Sequence, residues 1–417
     1  MKRHKLLAVV ATAALLTAGS LQAKEKKSAA GGLELSGNVD VVTGWQHDTK
    51  NVFGMSSLAN DVDTAGTVGE GQLGDFRGIG GSKSDTFNFY IDQVELDLNK
   101  TFGENVRIRA DLDFGRALSG SGRNTGGPGS NFQLEQGYVT ANIPIGNGLE
   151  FLIGRFNTPI GLEAVDRADN ITLSYTNLYK YLRPHNTTGM KLYYAFNDFF
   201  DWHLYVVNNL YDTIGAPPAT GGQDTPIPSY GTRFGFTWGQ KGKESVVGLS
   251  YAGGPEAIAR GANLMKHFTH IADLDFSFHV TDAFIIAGEG IYRQDNLGGA
   301  CPIIGVAPAG PSLPGNVGKN CKALGGNLTF AYNFNETWNG YFRYDYLHDF
   351  QGNYTGLDTQ IHGFSLGAGY QITEGAKLKM EYRLDYDHYA GAQQVAIGAT
   401  SKNAFSHGFA LEFAYNF

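Results

Sequence analysis

Charged and apolar residues alternate along two segments of the sequence, Val106–Phe114 and Ala376–Asp387. A period of two places the charged side chains on one face of a β-strand and the apolar side chains on the other. Such a row of charges can act on passing ions if it faces a water-filled space. If the charges instead form ion pairs between neighbouring strands, they only make that face of the sheet polar. The residues that we predict to line such a space are Arg107, Arg109, Asp111, Asp113, Arg155, Lys191, Arg233, Arg343, Lys377, Lys379, Glu381 and Arg383.

Residue types capable of catalysis or metal binding are present, but without the spacing that those activities require. The sequence has no helical His-Glu-x-x-His zinc signature and no glycine-rich phosphate loop ahead of Lys-Ser or Lys-Thr. His267 and His270 are three residues apart, so on a strand they would point to opposite faces and could not share one ion. We therefore expect no enzyme activity, no bound metal and no cofactor.

The N-terminus has the pattern of a secretory signal peptide. Lys2, Arg3 and Lys5 precede an apolar run of 13 residues that ends at Ala18, whereas a membrane-spanning helix needs about 20. We predict cleavage after Ala23, a short periplasmic tail over residues 24–32, and one domain over residues 33–417. Removing residues 1–23 takes the formal net charge from −8 to −11, which argues against a nucleic-acid partner.

Strand-like segments follow one another along the rest of the chain. In the second of them the apolar phase changes between Ile91 and Val94, which predicts a β-bulge. We predict sixteen strands, an even number as expected for a single-chain bacterial barrel. They begin near Leu33, Asn88, Val106, Phe132, Leu149, Thr187, Asp201, Ser229, Glu244, Lys266, Ala283, Lys322, Thr337, Thr359, Ala376 and Ser401.

The connections between these segments are alternately short and long. Turns such as Ile145–Gly148 and Thr373–Gly375 alternate with long segments rich in glycine and proline. Mean hydropathy is −0.23, and no later apolar run is long enough for a transmembrane helix. The sequence therefore predicts an all-β protein: a transmembrane antiparallel up-and-down β-barrel with short periplasmic turns and long extracellular loops.

Aromatic residues alternate along the final segment, and the chain ends on one of them. Phe413, Tyr415 and Phe417 share a face, and this arrangement resembles the signal by which outer-membrane proteins are recognised for barrel assembly. We therefore predict transport through the periplasm into the bacterial outer membrane, with the barrel-assembly machinery and outer-membrane lipids as partners.

Two further features belong to the predicted loops. The connection after the fifth strand, Asn157–Asn186, carries Glu163, Asp166 and Asp169. We hypothesise that it folds into the barrel as a constriction, with these acids facing Arg107, Arg109 or Arg155; the alternative is an ordinary extracellular loop. Cys301 and Cys321 lie in another loop, where a disulfide would stabilise the fold locally by about 3 kcal/mol.

The stretch from Glu135 to Phe196 resembles a known family. It contains the motifs Gln136–Val139, Ile153–Glu163 and Asp169–Asn170, followed by Ser174-Tyr175, Pro184 and Thr188-Gly189. These motifs resemble the OmpL-like β-barrel porin family of Gram-negative bacteria, and more loosely the phosphate-selective and general porins. The resemblance implies passive transport, fixes no substrate and carries over no catalytic residues.

The expected function is that of an outer-membrane porin: a water-filled channel for passive diffusion of small hydrophilic solutes and ions. By analogy with sixteen-strand porins, a homotrimer is expected. Two alternatives remain open at this point. The long loops could make the barrel a surface adhesin, or the barrel could be a sheath around a partner electron-transfer protein.

Overall fold

The computed structural model describes residues 28–29, 32–48, 84–114, 132–210, 227–260, 263–296, 320–350, 358–389 and 403–417. The predicted signal peptide, most of the predicted tail and Cys301 lie outside these residues. Cys321 is buried and disulfide-bonded. No helix in the described part of the chain is long and apolar enough to cross a membrane.

Sixteen long strands form one antiparallel sheet, and each pairs with the next strand in the chain. Their first residues lie within four positions of those predicted from the sequence. The strands are β1 (Leu33–Asp48), β2 (Ser84–Phe102), β3 (Val106–Phe114), β4 (Phe132–Ile143), β5 (Leu149–Asn157), β6 (Asn186–Ala195), β7 (Phe200–Val207), β8 (Ser229–Gln240), β9 (Lys243–Arg260), β10 (Asn263–His279), β11 (Phe284–Asn296), β12 (Cys321–Asn333), β13 (Trp338–Asp349), β14 (Thr359–Thr373), β15 (Ala376–Tyr389) and β16 (Asn403–Asn416).

The sheet closes on itself where β16 pairs with β1. At this seam the backbone N–H of Phe417 donates to the carbonyl oxygen of Gly37 at 3.0 Å, and the N–H of Gly37 donates back at 3.2 Å. A two-residue strand, Ser28–Ala29, also pairs with the start of β1. Closure leaves no unpaired strand edge, and the predicted barrel is therefore confirmed.

The two faces of the barrel wall are inverted relative to a water-soluble protein. Outward side chains are apolar and exposed, with Phe89 at 73 % and Leu366 at 63 %. Inward side chains include Asp345, Asp385 and Glu412, which have no exposed surface. An apolar exterior of this kind is stable only against lipid, so the polar face encloses the interior.

Two bulges add acidic side chains to that interior. Between the pairs Asp40–Gln93 and Val41–Ile91 the extra residue is Asp92, which confirms the predicted bulge in the second strand. In β4 the extra residue is Glu135, where the apolar pattern of the sequence shows no comparable change of phase. Asp92 and Glu135 are both buried, so each bulge turns one additional carboxyl group inward.

The segment between β5 and β6, residues 158–185, lies inside the barrel; we call it the lumen loop. It contains a 3₁₀ turn, Arg167–Asp169, and the short helix α1, Asn177–Tyr181, which is capped by the Thr176 side chain. The apolar side of α1 belongs to a buried cluster with inward-facing residues of several strands. That cluster includes Leu178, Tyr181, Leu182, Ile271, Ile291, Leu347 and Ile361. The lumen loop therefore has a small apolar core of its own.

Candidate functional site

Some of the predicted lining residues keep contact with water. Arg109 pairs with Asp97 at 3.2 Å and with Asp111 at 2.7 Å, and 26 % of its side chain remains exposed. Arg107 donates to Asn99 Oδ1 at 2.5 Å, and Lys191 Nζ lies 5.1 Å from the centre of the Phe156 ring. Among the described residues, neither Arg107 nor Lys191 has an ion-pair partner. The wall from β2 to β7 thus presents partly exposed cations.

Arg155 is not part of this row, which corrects the sequence prediction. Its neighbours in the strand, Leu152 and Phe156, are buried in the same apolar cluster as α1. Arg155 pairs in register with Gly137 and Thr188 and donates through Nε to the carbonyl oxygen of Glu135 at 3.1 Å. The alternation in β5 is therefore shifted by one residue from the expected one, because packing of the lumen loop requires the apolar residues to face inward.

Arg343 on β13 fixes the middle of the lumen loop. Its guanidinium donates to Glu163 at 3.1 Å, to Thr172 Oγ1 at 2.6 Å and to the carbonyl oxygen of Ser174 at 2.6 Å. The Arg343 side chain is 1 % exposed. Burial raises the pKa of Glu163, and the charge of Arg343 opposes this effect. These are charge-assisted hydrogen bonds, which are stronger than bonds between neutral groups.

Glu381 and Arg383 on β15 hold the adjacent part of the loop. The backbone N–H of Leu173 and the Tyr341 hydroxyl donate to Glu381 at 2.9 and 2.8 Å. Arg383 donates to the carbonyl oxygen of Tyr175 at 2.7 Å. Arg343, Glu381 and Arg383, predicted to line the water path, instead attach the loop to the wall.

The first part of the loop contacts strands on both sides of the seam between β16 and β1. Arg167 forms an ion pair with the bulged Asp92 at 2.8 Å, and Lys379 Nζ donates to the carbonyl oxygen of Arg167 at 2.9 Å. Asp166 accepts from Gln93 at 2.9 Å, and Asp169 accepts from Asn416 at 3.4 Å. The loop is therefore attached at both ends of its path across the interior.

The three predicted loop acids all lie inside the barrel, but their partners differ from those expected. Glu163 pairs with Arg343 rather than with Arg107, Arg109 or Arg155. Asp166 and Asp169 accept from amide side chains of β2 and β16. The part of the loop around Glu163 crosses to β13, whereas the part around Asp166 lies against β2 and β4.

Stacked rings stiffen the loop. The Tyr175 and Tyr179 rings are 4.1 Å apart, and the Tyr179 and His185 rings are 4.0 Å apart. Arg167 lies over Tyr175 at 5.2 Å and Arg183 over Tyr179 at 5.3 Å, and such cation–π contacts add stability. This stack joins both ends of the loop into one compact unit.

Carboxyl groups gather where the loop meets β2 and β4. Oxygen atoms of Glu95, Glu135 and Asp166 lie within 4.8 Å of one another, close enough to hold a cation. Asp97 and Asp111 form a second such group that shares Glu95. Burial raises the pKa of Asp166, and the charges of Glu135 and Asp169 raise it further. Sequence analysis missed this cluster because Glu135 enters it only through the bulge.

The arrangement leaves the two halves of the interior with different accessibility. Along β13–β15 the loop covers the wall, and Arg343, Glu381 and Arg383 are almost fully buried. Along β2–β7 charged side chains remain partly exposed, including Arg109 and Asp201 at 26 and 24 %. Arg109 and Asp201 are therefore in contact with water, in contrast to the covered arginines of β13–β15.

Comparison with known proteins gives a consistent result. The family model described as beta-barrel porin-2, OmpL-like, matches residues 32–417. None of the curated proteins matches the chain in sequence.

Among solved structures, the outer membrane channel DcaP of Acinetobacter baumannii is similar, with 12 % identity, a TM-score of 0.59, and 93 % of this chain and 97 % of that chain covered. An anion-selective porin from Comamonas acidovorans shows 12 % identity, a TM-score of 0.56, and coverage of 92 and 99 %. The trimer form of OmpT from Vibrio cholerae shows 13 % identity, a TM-score of 0.53, and coverage of 92 and 99 %. At these identities the likeness establishes the fold.

Proposed function

Because the chain belongs to the OmpL-like family of β-barrel porins, we propose that small hydrophilic solutes and ions diffuse through its lumen past the lumen loop. Family membership supports a channel protein of the bacterial outer membrane. The observation that carries the finer proposal is the attachment of the loop to β13–β15, through Arg343 above all. The loop then acts as a constriction, and the conducting path runs beside β2–β7.

The interior favours cations over anions in this proposal. Among the residues that the structure describes, buried carboxyl groups outnumber buried arginine and lysine side chains by roughly two to one. A narrow pore with low-dielectric walls focuses such a field on passing ions. Arg343 and Arg383 are bound to carboxyl groups, so their charge is largely compensated. The loop also fills space that a partner protein would need, which disfavours the role of an electron-transfer sheath.

Replacing Asp166 and Asp169 together by asparagine is expected to reduce the cation preference. Two negative charges disappear from the surface of the constriction, so the reversal potential in a salt gradient should move toward zero. Planar-bilayer recordings of the refolded mature protein measure this shift. The matched control is Asp198→Asn with Asp282→Asn, which removes the same charge from two short turns; an equal shift in the control, or none in the loop variant, would contradict the proposal.

The pH dependence provides a second test of the same group. The raised pKa of Asp166 means that its charge is lost as the pH falls through a value higher than that of an ordinary aspartate. Cation preference of the wild-type channel should therefore weaken as the pH is lowered, and at a higher pH than titration of an ordinary aspartate would give. The difference between the wild type and Asp166→Asn should shrink over the same pH range; a difference independent of pH would assign the effect to another group.

We further propose that the chain is exported, cleaved after Ala23 and assembled as a homotrimer. A trimeric form is described for one structural neighbour, and sixteen-strand barrels of this kind offer a large apolar exterior for subunit contact. Chemical cross-linking in detergent, followed by gel electrophoresis without heating, should give a trimer band. A mass corresponding to one protomer under mild detergent conditions would exclude this assembly.

A further inference from the structure

Histidines lie on the outer face of the barrel, near the end that carries the long loops. The alternation of exposure along each strand places six of the described histidines outward. They are His270 on β10, His348 on β13, His362 on β14, His388 on β15, His407 on β16 and His47 on β1. We call these residues, together with the strands between them, the histidine arc.

The strand register makes the arc continuous from β13 to β1. His47 and His407 are direct cross-strand partners, and their ring centres are 5.5 Å apart. His362 faces Tyr386 on one side and Tyr346 on the other. Five neighbouring strands therefore each contribute one imidazole to the same band of the outer surface.

The rest of the arc also carries nitrogen-bearing groups. Between His270 and His348, the outward positions at this level are Gln294 on β11 and Lys322 on β12, which lie in consecutive registers. By contrast, the described residues of β2–β9 include no outward-facing histidine, and their exposed outer residues toward the long loops include Phe89 and Tyr230. The band thus covers one half of the circumference only.

Tyrosine hydroxyls orient several of these rings. The Tyr344 hydroxyl lies 2.8 Å from His362 Nδ1, and the Tyr382 hydroxyl lies 3.1 Å from His407 Nδ1. When the hydroxyl donates to Nδ1, the ring proton resides on Nε2. That N–H is then a donor held in position at the surface, whereas a protonated ring donates from both nitrogens and adds a positive charge.

The position of the arc on the barrel indicates what it meets. Toward the middle of the same strands the outer face becomes apolar, with Phe364 and Phe409 exposed at 39 and 47 %, as expected for contact with lipid chains. On the other side lie the long loops. The charged groups whose side chains are described beside the arc are Lys322 and Asp358, and Asp358 is bound to His348 at 3.1 Å. The register also pairs Asp85 with His47. The arc therefore lies at the level of lipid headgroups.

We propose that the histidine arc binds the anionic, phosphate-bearing headgroups of lipids that surround the barrel. Imidazole N–H groups donate hydrogen bonds to phosphate oxygens, and Lys322 adds a positive charge. The apolar face below the arc accommodates the acyl chains of the same molecules. One half of the barrel then selects its lipid neighbours, independently of what the lumen conducts.

The test is lipid selectivity of the mature protein in reconstituted membranes. Spin-labelled phosphatidylglycerol and phosphatidylcholine report by electron paramagnetic resonance how strongly each lipid associates with the protein surface. The wild type is expected to favour the anionic lipid by about threefold. A fourfold variant, with His47, His362, His388 and His407 each replaced by glutamine, should lose that preference.

The matched control is Tyr230→Phe, which removes a polar group from the outer face of the opposite half. It should retain the lipid preference, and channel conductance should be unchanged in both variants, which also verifies their folding. The proposal is overturned if the wild type shows no preference or if the fourfold variant keeps it. Displacement of the lipid by inorganic phosphate would indicate a free-anion site, and loss of binding with EDTA would indicate a metal site; either result also overturns it.

Discussion

Replacement of Arg343 by alanine is expected to release the lumen loop and to raise single-channel conductance severalfold. The substitution removes the donor to Glu163, Thr172 and Ser174 and leaves the Glu163 carboxyl group buried without its cation. Removing one partner of a buried ion pair costs about 3–5 kcal/mol. The strands keep their hydrogen bonds, so this cost falls on the loop, which then moves away from β13 and widens the conducting path.

Arg233→Ala is the matched control for this experiment. Arg233 is as buried as Arg343 and is also paired, with Asp275 at 2.8 Å, but its described bonds do not involve the loop. Planar-bilayer recordings should therefore show an enlarged, noisier conductance for Arg343→Ala and a conductance near wild type for Arg233→Ala. Similar conductance in both variants and the wild type would mean that the loop does not limit the current.

Replacement of Phe417 by alanine is expected to reduce the amount of assembled barrel in the outer membrane to a small fraction of the wild-type level. The backbone bonds between Phe417 and Gly37 are available to alanine as well, so barrel closure itself is not prevented. We expect the loss to arise before closure, at recognition of the terminal aromatic residue by the assembly machinery. Immunoblots of outer-membrane fractions, with and without heating, measure folded and unfolded protein.

Phe409→Ala separates recognition from stability. Phe409 and Phe417 lie on the same outer face and are similarly exposed, at 47 and 44 %. Loss of either ring removes a comparable apolar contact with lipid, worth about 1–2 kcal/mol. Phe409→Ala should therefore assemble at nearly the wild-type level, and both variants should refold equally well from urea into detergent micelles. Equal assembly defects in cells would refute a special role for the terminal residue.

The strands could be predicted from the sequence because the rule that governs them is local. A period of two, turn residues between segments and an apolar face are all visible in one dimension. The bulge at Asp92 was visible for the same reason, since the apolar phase changes between Ile91 and Val94. In β5 the same rule failed at Arg155, because several of its inward positions are occupied by apolar residues that pack on the loop.

The roles of the inward charges could not be read in this way. Arg109 and Arg343 both occupy inward strand positions between apolar neighbours, and the sequence treats them alike. In the structure one is partly exposed and the other is covered by the lumen loop. Apolar residues at inward positions, such as Ile271, Leu347 and Ile361, were the available signal that something packs inside the barrel.

The number and order of the strands, the inverted distribution of polar and apolar faces, and the family could all be inferred from the amino-acid pattern. Each of these follows from a repeating relation between neighbouring residues. That the loop after β5 crosses to β13–β15, and that Arg343 holds it there, became visible in the folded barrel alone. Glu163 and Arg343 are 180 residues apart, and no local pattern specifies which inward charges meet after a sheet has closed, because closure and register together bring such groups into contact.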